Sequence, residues 1–456
     1  MWLLVCLSVH AEDLTLHDAL LRAMSANLEM RQERLAAERA TLYVSQARAA
    51  FEPSIGASSH LSGSDPDASR LLDTSVSLGQ TLPTGGSASL SLDTDLVADT
   101  GHGAGVSFSL WHPLLDGAGP WTALATLRAA HRARDYEALT LRARAESLAL
   151  SVSAAYWGLA AARETLVLAR RSQEIAEQQL ADMRERKEQG FAALGDVLQV
   201  ERAVGVARQT VVVAEADVES SQAGLSRLMG VRLEDRTPLV PVDRPQVPGG
   251  ALDLPSATER ARLFNAAYLQ QRLLLEEARD LLRLAHNGAL PALDLSASLG
   301  RTGSGASASD ALSAIKSGGT TTWNLGLTFH SPITGRADRR SARRAELAVD
   351  QARLALDAAD QDLLLEVEAA VREVRRDRAR LDLARQTVLV AQAALEADQE
   401  LLNAGRGSSR EVVRSLEALD AAHVSRLQAE IDLQASHLGL LKVEGLLLDA
   451  LGIPAP

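Results

Sequence analysis

Large aromatic side chains are scarce in this chain: phenylalanine, tryptophan and tyrosine together make 3% of 456 residues. So few bulky groups leave little to fill a globular core of that length. Cysteine occurs once, at Cys6, which rules out a disulfide framework within one chain. Proline is missing from 121 to 237 and again from 333 to 453. Proline is costly inside helices, so both stretches are free to be helical. No run of 18 apolar residues occurs, and no membrane-spanning helix is expected. The net charge is −12 without a compensating basic patch, which argues against nucleic acid as a partner.

Catalytic patterns are missing too. There is no phosphate-binding loop. Gly303-Ser304-Gly305 lies in a glycine-serine loop and not at a strand–helix elbow, so it does not present a nucleophile. The ten histidines are scattered. His112 and His330 recur loosely, as strand-end polar residues do, and do not form a metal site. The expectation is a protein that is not an enzyme, with no cofactor and no metal.

What the chain does have is a second copy of itself. Leu16, Ala19, Arg22, Asn27, Gln32, Glu38, Ala47 and Pro53 recur 238 residues on, as Leu254, Ala257, Arg260, Asn265, Gln270, Glu276, Ala285 and Pro291. Leu141, Leu148, Gly190, Ala214, Asp217, Gly224 and Gly230 recur 215 residues on, as Leu356, Leu363, Gly405, Ala429, Asp432, Gly439 and Gly445. Copies this long indicate duplication of a whole supersecondary layout. The change of offset means that the first copy carries 23 extra residues between the two blocks. The domain reading is a first repeat over 12–230, a proline-rich linker over 231–251 and a second repeat over 252–456.

Helix periodicity dominates each copy. Leu141, Leu148, Val152, Leu159 and Leu166, with their partners Leu356, Leu363, Val367, Val374 and Leu381, draw the a/d seam of a coiled coil. Helices are expected over about 14–49, 120–189 and 196–229, and again over about 252–287, 336–403 and 411–451. The long one would run about 105 Å at 1.5 Å per residue. The two shorter ones sum to its length, so they could stack end to end and pack antiparallel along it.

Between the helices the period drops to two. Ser87–Asp93, Gly105–Trp111, Leu293–Leu299 and Trp323–Phe329 alternate apolar with small polar residues. Such segments resemble strands of a membrane barrel, although a soluble antiparallel sheet would also alternate. Trp111, Trp323 and Phe329 end their strands, where interfacial aromatics sit. Two strands per copy give four per chain, too few to enclose a pore, so closure requires several chains. The opening Met1–Leu7 is apolar, and Val9-His10-Ala11 fits the small-residue end of a secretory signal, read as residues 1–11. The basic opening of such a signal is missing and its apolar run is short. A lipid anchor on Cys6 is the rival, although Val5 fits a lipobox poorly.

Several segments carry a resemblance. They are the Asn27 region, Ala47 to Pro53, the strand exit Trp111-His112-Pro113-Leu114-Leu115-Asp116-Gly117, and the turn Gly190 to Asp196 followed by Val197-Leu198-Gln199. Copy two has its set around Asn265, Ala285 to Pro291, Phe329 to Gly335 and Gly405 to Glu411. In order, spacing and duplication the chain resembles the TolC-like outer-membrane efflux proteins, the outer membrane factors of tripartite export systems. The resemblance covers essentially the whole mature chain. It implies a mainly α fold with a membrane β-barrel: a homotrimer in which a twelve-strand barrel in outer-membrane lipid sits on a coiled-coil helical tunnel through the periplasm. The partners it implies are a periplasmic adaptor (membrane fusion) protein and an inner-membrane pump. The alternative is a periplasmic coiled-coil scaffold or adaptor with a soluble β-domain. Drug, metal and protein exporters can share the layout, because a conduit carries little cargo code.

Two departures stand out. His112 and His330 sit where the family often has glutamine. The 23 extra residues, expected around Leu78 to Gly86, leave the strand count open because they could form an added hairpin. Glycines at the tips are explained by the turn alone. Exposed Phe191 and Leu194 are not, and an apolar tip favours docking. The docking residues are therefore taken as Gly190, Phe191, Ala192, Leu194 and Gly195, with Gly405, Arg406, Gly407 and Ser408. Glu411 matches the acidic position of the family's tip motif and Asp196 is its counterpart. A first-turn acid favoured by the helix dipole explains both as well. The resemblance adds a role in a closed periplasmic mouth for Asp196, Glu411 and Arg414, with Arg414 offsetting Glu411.

Overall fold

A computed structural model describes residues 12–63, 70–97, 101–190, 193–232, 234, 237–245, 253–404 and 406–454. The expected signal segment with Cys6, much of the linker, and the tip residues Phe191, Ala192 and Gly405 lie outside the described residues. The first repeat contains β1 (Glu12–Leu14), α1 (Leu16–Ala26), α2 (Leu28–Ala49), β2 (Ser54–Gly63), β3 (Arg70–Thr81), β4 (Ser87–Val97), β5 (Gly101–Pro113), α3 (Pro120–Ala123), α4 (Ala125–Glu188) and α5 (Leu194–Leu228). After β6 (Leu239–Pro241) the second contains α6 (Leu254–Phe264), α7 (Ala266–Asn287), β7 (Ala292–Gly305), α8 (Ala308–Ser317), β8 (Thr320–His330), α9 (Arg336–Asn403), α10 (Ser409–Val443) and α11 (Leu447–Ala450).

The chain divides into two compact units. One comprises the described residues of Met1–Leu35, Leu139–Leu269 and Ala359–Pro456, and is helical apart from β1 and β6. The other comprises the described residues of Ala36–Ala138 and Gln270–Ala358, and holds the large sheet.

In the helical unit the a/d seam is the core. Leu141, Leu148, Val152 and Leu159 of α4 are buried, as are Leu363, Val367, Val374 and Leu381 of α9. In copy two the α9 seam packs on Ala257 and Ala261 of α6 and on Ala429, Leu433 and Leu440 of α10. Each fully buried leucine or valine contributes about 1.5–3 kcal/mol, and alanines between them let the backbones approach. In the first hairpin Leu166 and Ala169 of α4 meet Val211 and Ala214 of α5. Ion pairs Arg170–Glu215, Arg208–Glu177 and Arg184–Glu201 run along its outside. Exposed pairs contribute about 0–1 kcal/mol each, so the seam decides the packing.

The helix expected over 14–49 is two helices, broken at Asn27, and the break recurs at Asn265. At Asn27 the backbone turns extended (φ −60°, ψ 131°). Its side-chain oxygen accepts from the backbone N–H of Glu29 (2.9 Å) and Met30 (3.2 Å), which caps α2. Its amide donates to the carbonyl of Leu228 at the end of α5, at 3.0 Å. Asn265 does the same: it accepts from the N–H of Tyr268 and donates to the carbonyl of Val443, both at 3.0 Å. Leu228 and Val443 are themselves repeat partners.

Gly230 and Gly445 complete the two joints. Both have φ +71°, a left-handed conformation that favours glycine. A Cβ would lie 2.5 Å from the Ala26 oxygen at Gly230 and 2.3 Å from the Phe264 oxygen at Gly445, so space excludes it as well.

The expected linker is partly ordered against the N-terminal segment. Leu239–Pro241 pairs in parallel with Glu12–Leu14. Buried Tyr156 holds that pair: its hydroxyl lies 2.9 Å from the Leu14 oxygen and 3.0 Å from Asp243 Oδ2, and accepts from the Asp243 N–H. Burial pushes the phenol up to about 12.

In the other unit, six strands form one antiparallel sheet in the order β2-β3-β4-β5-β7-β8. The four segments read from alternation lie inside β4, β5, β7 and β8. The expectation of four strands per chain is wrong, because β2 and β3 are present as well. By the 238 offset β2 is the copy of β7, and by the 215 offset β5 is the copy of β8. The hairpin β3–β4 therefore has no counterpart, and it is where the extra residues went. A twelve-strand barrel from three chains needs four strands from each, so that count does not fit this sheet.

The two Asn joints give a direct prediction. Asn27→Ala leaves a helix start uncapped and the Leu228 carbonyl unpaired, at a cost of about 1–3 kcal/mol. Asn265→Ala should match it. Asn27→Asp keeps the cap acceptor but loses the donor and should fall between. Thermal melting followed by circular dichroism checks this, and an unchanged midpoint in all three variants contradicts the joint.

Candidate functional site

Two parts of the molecule carry the residues expected to matter: the hairpin turns of the helical unit and the two faces of the sheet.

The first turn follows α4. Gly190 has φ +80° with open space around it, and its N–H bonds the Lys187 carbonyl. Leu194 opens α5 and is 57% exposed, an apolar side chain in water at a turn. Gly195 and Asp196 are exposed beside it. Asp196 Oδ2 accepts from the Ala193 N–H at 3.1 Å, tying the turn to the first turn of α5.

The second turn is closed by backbone. The N–H groups of Arg406 and Gly407 both reach the Leu401 carbonyl, at 2.9 and 3.0 Å. Ser408 then caps α10 in a reciprocal box. Its hydroxyl accepts from the Glu411 N–H (3.4 Å), and Glu411 Oε2 accepts from the Ser408 N–H (2.9 Å) and hydroxyl (3.0 Å). These bonds hold the Glu411 carboxyl below its usual range, with a smaller contribution from the charge of Arg414. Glu411 thus directs its carboxylate to Ser408, and no ion pair joins it to Arg414. Of the residues expected to dock or to gate, Gly190, Leu194, Gly195 and Asp196 lie at one hairpin turn, and Arg406, Gly407, Ser408, Glu411 and Arg414 at the other.

The sheet has two unlike faces. Cross-strand partners draw one row through all six strands: Ile55, Leu78, Leu90, Phe108, Leu299, Trp323. The adjacent row on that face is Ala57, Val76, Leu92, Val106, Arg301, Thr321. Ile55 and Trp323 are 79% and 77% exposed. Rows on the opposite face are small and polar: Gly56, Ser77, Ser91, Ser107, Gly300 and Thr322 in one; Gly79, Ser89, Ser109, Ser298 and Asn324 in another. A continuous apolar face of this size in the open marks a surface that meets lipid or protein. The polar face has three carboxylates that sequence reading passed over, Asp73, Asp93 and Asp95. Asp73 and Asp95 are direct cross-strand partners. Trp111 lies on this polar face, in the row of Ser87, and Phe329 and Trp323 lie on the apolar one.

Comparison with known proteins agrees with this geometry. The family model described as outer membrane efflux protein matches residues 19–231 and 257–446, one segment in each repeat. The chain is 25% identical over 280 residues to the outer membrane protein TolC of Vibrio cholerae, covering 61% of this chain and 62% of that one. It is 26% identical over 286 residues to TolC of Escherichia coli, covering 61% of this chain and 56% of that one. The matched part is thus about three-fifths of the length of these relatives. Among solved structures the outer-membrane channel OprN shares the fold, with a TM-score of 0.69 and 17% identity over 94% of this chain and 89% of that one. Two model segments, one per repeat and together most of the chain, establish that it belongs to the outer membrane efflux protein family.

Proposed function

We propose that this protein is the exit duct of a tripartite export system. Three chains close a barrel in the outer membrane, and their helices form a tunnel in the periplasm. A periplasmic adaptor docks at the tips, and an inner-membrane pump supplies the energy. Membership of the family puts the protein in the outer membrane and makes it a channel component, not an enzyme. Transport is passive at this step, so its mechanism is opening and closing.

One observation carries the reading: the sheet is apolar along one face and serine- and glycine-rich along the other, and among the described residues neither edge is paired. In hydrocarbon every backbone donor and acceptor must be satisfied within protein, which edge strands cannot do alone. The apolar face suits lipid and the small polar face suits a water-filled lumen. The helical unit supports the same assembly. Val167, Val206, Val212, Val213, Leu383, Leu389 and Val390 are more than half exposed, an apolar outer surface that helices of neighbouring chains would cover.

The tips serve as the docking surface. Leu194 in the open is the feature that a turn alone does not need. Replacing Phe191 and Leu194 together by aspartate should abolish export, while trimers still assemble. Export at the parent rate in cells carrying both substitutions would remove these residues from the docking surface.

The gate is the second proposal. Glu411 from three chains near one axis makes an acidic constriction, and Arg414 one turn on moderates it through charge. In planar bilayers Glu411→Ala should raise resting conductance or shift cation selectivity. Arg414→Ala should strengthen block by divalent cations. The cap supplies the control. A carboxyl held low stabilises the helix start above its ordinary pKa of 4.5, and that stabilisation is lost as pH falls through the depressed value. Ser408→Ala removes the cap partner and should cost about 1 kcal/mol of local stability. If Glu411 is only a cap, Ser408→Ala and Glu411→Ala will loosen the turn alike and leave ion flow as in the parent.

A further inference from the structure

We propose that the hairpin β3–β4 is part of the pore wall, and that three chains close an eighteen-strand barrel by pairing β8 of one copy with β2 of the next. This rests on the three-chain channel reading above and adds the strand number, the width of the pore and the chemistry of its lining.

The hairpin is integrated at every edge. β3 pairs with β2 along ten residues, Ser54↔Gly79 to Gly63↔Arg70. β4 pairs with β5 along eleven, Ser87↔Trp111 to Val97↔Gly101. The apolar row enters the hairpin at Leu78, leaves it at Leu90, and continues to Ile55 on one side and Phe108 on the other. A flap folded away from the wall would break that row; here it passes through without a change of face. The turn of the hairpin is fastened as well. The Gly119 N–H donates to the Thr84 carbonyl at 3.0 Å. Cβ atoms at Gly85 and Gly86 would lie 2.5 Å from the Gly117 oxygen and 2.4 Å from the Trp111 oxygen, so the turn presses directly on the backbone of the β5 strand exit.

The open edges fit a second copy. β2 has ten residues, all exposed, and β8 has eleven, nearly all exposed. Successive strands of the sheet are antiparallel, and six is an even number, so β8 runs opposite to β2. Placing β2 of the next copy beside β8 therefore continues the alternation. One chain cannot enclose a water-filled pore alone, because about eight strands already leave an interior only wide enough for side chains.

Width follows from strand number. Strands spaced about 4.8 Å apart and tilted about 40° give a backbone diameter of about 36 Å for eighteen strands, against about 24 Å for twelve. The hairpin also brings Asp73, Asp93 and Asp95 on its polar face, so the added wall is acidic. Gly103 opposite Asp95 makes room for that carboxylate: a Cβ there would lie 2.2 Å from Asp95 Oδ1.

Cryo-electron microscopy of the full protein in lipid nanodiscs tests this directly. The expected result is eighteen strands around the pore with residues 70–97 in the wall. A trimer with twelve wall strands and the hairpin outside them overturns this proposal alone. A chain that stays monomeric in lipid overturns it together with the channel reading. Thiol labelling gives an independent measurement. In a Cys6→Ser background, Ser91→Cys on the polar face should react with a membrane-impermeant maleimide roughly ten-fold faster than Leu92→Cys on the lipid face. Equal rates at the two neighbours would mean that β4 is bathed in water on both sides, and would overturn the wall assignment.

Discussion

Backbone hydrogen bonding at the sheet edges constrains everything else about this protein. A six-stranded sheet with an apolar face has two rows of unpaired N–H and C=O groups, on β2 and β8. In water those groups would be solvated, but the apolar rows through Leu90 and Leu299 would then be exposed at a large cost. In lipid the rows are satisfied and the edges are not. Pairing edge to edge with further copies relieves both costs together. On the proposed function the chain is one segment of a ring, with four of its strands supplied by the duplication and two by the inserted hairpin β3–β4.

The helical part solves a different problem with equally few large side chains. Long helices with a leucine and valine seam need only alanine between them to approach closely. What they lack is a means of ending in register. The two asparagine joints provide it. Each uses one amide group to cap the start of one helix and to satisfy the last carbonyls of another, with a glycine fitted against the chain beside it. Asn27 is buried and Asn265 half-buried, so each joint depends on both of its bonds: an unmet group would have little water to turn to.

Much of this was legible in the residues. The 238 and 215 offsets revealed the duplication, and α9 runs over 336–403, the bounds that helix periodicity in a proline-free stretch led one to expect. Strands β4, β5, β7 and β8 followed from alternation. The break at Asn27 did not, because hydrophobic periodicity continues across it and only the tertiary bond to Leu228 reveals its purpose. β2 was missed because Ser54–Gly63 has only Ile55 and Leu61 as large apolar residues, spaced too widely to read as alternation. Its repeat partner β7 was the available signal. β3 was obscured by the adjacent pair Leu71-Leu72, which interrupts the period. At the tips the glycines made the turns legible, but the cap between Ser408 and Glu411 was not foreseen: the serine one turn back holds the carboxylate, and Arg414 acts on it only through charge. The carboxylates of the sheet were passed over because their significance depends on which face they share, and face is set by register.

The single chain, on the proposed function, is an incomplete ring. Native mass spectrometry of the protein extracted from outer membranes in mild detergent measures that most directly. The expected result is a particle of three copies of the chain that persists on dilution, because separating them would uncover two strand edges per chain. A monodisperse single chain with its sheet intact, stable in detergent and in lipid, would contradict it.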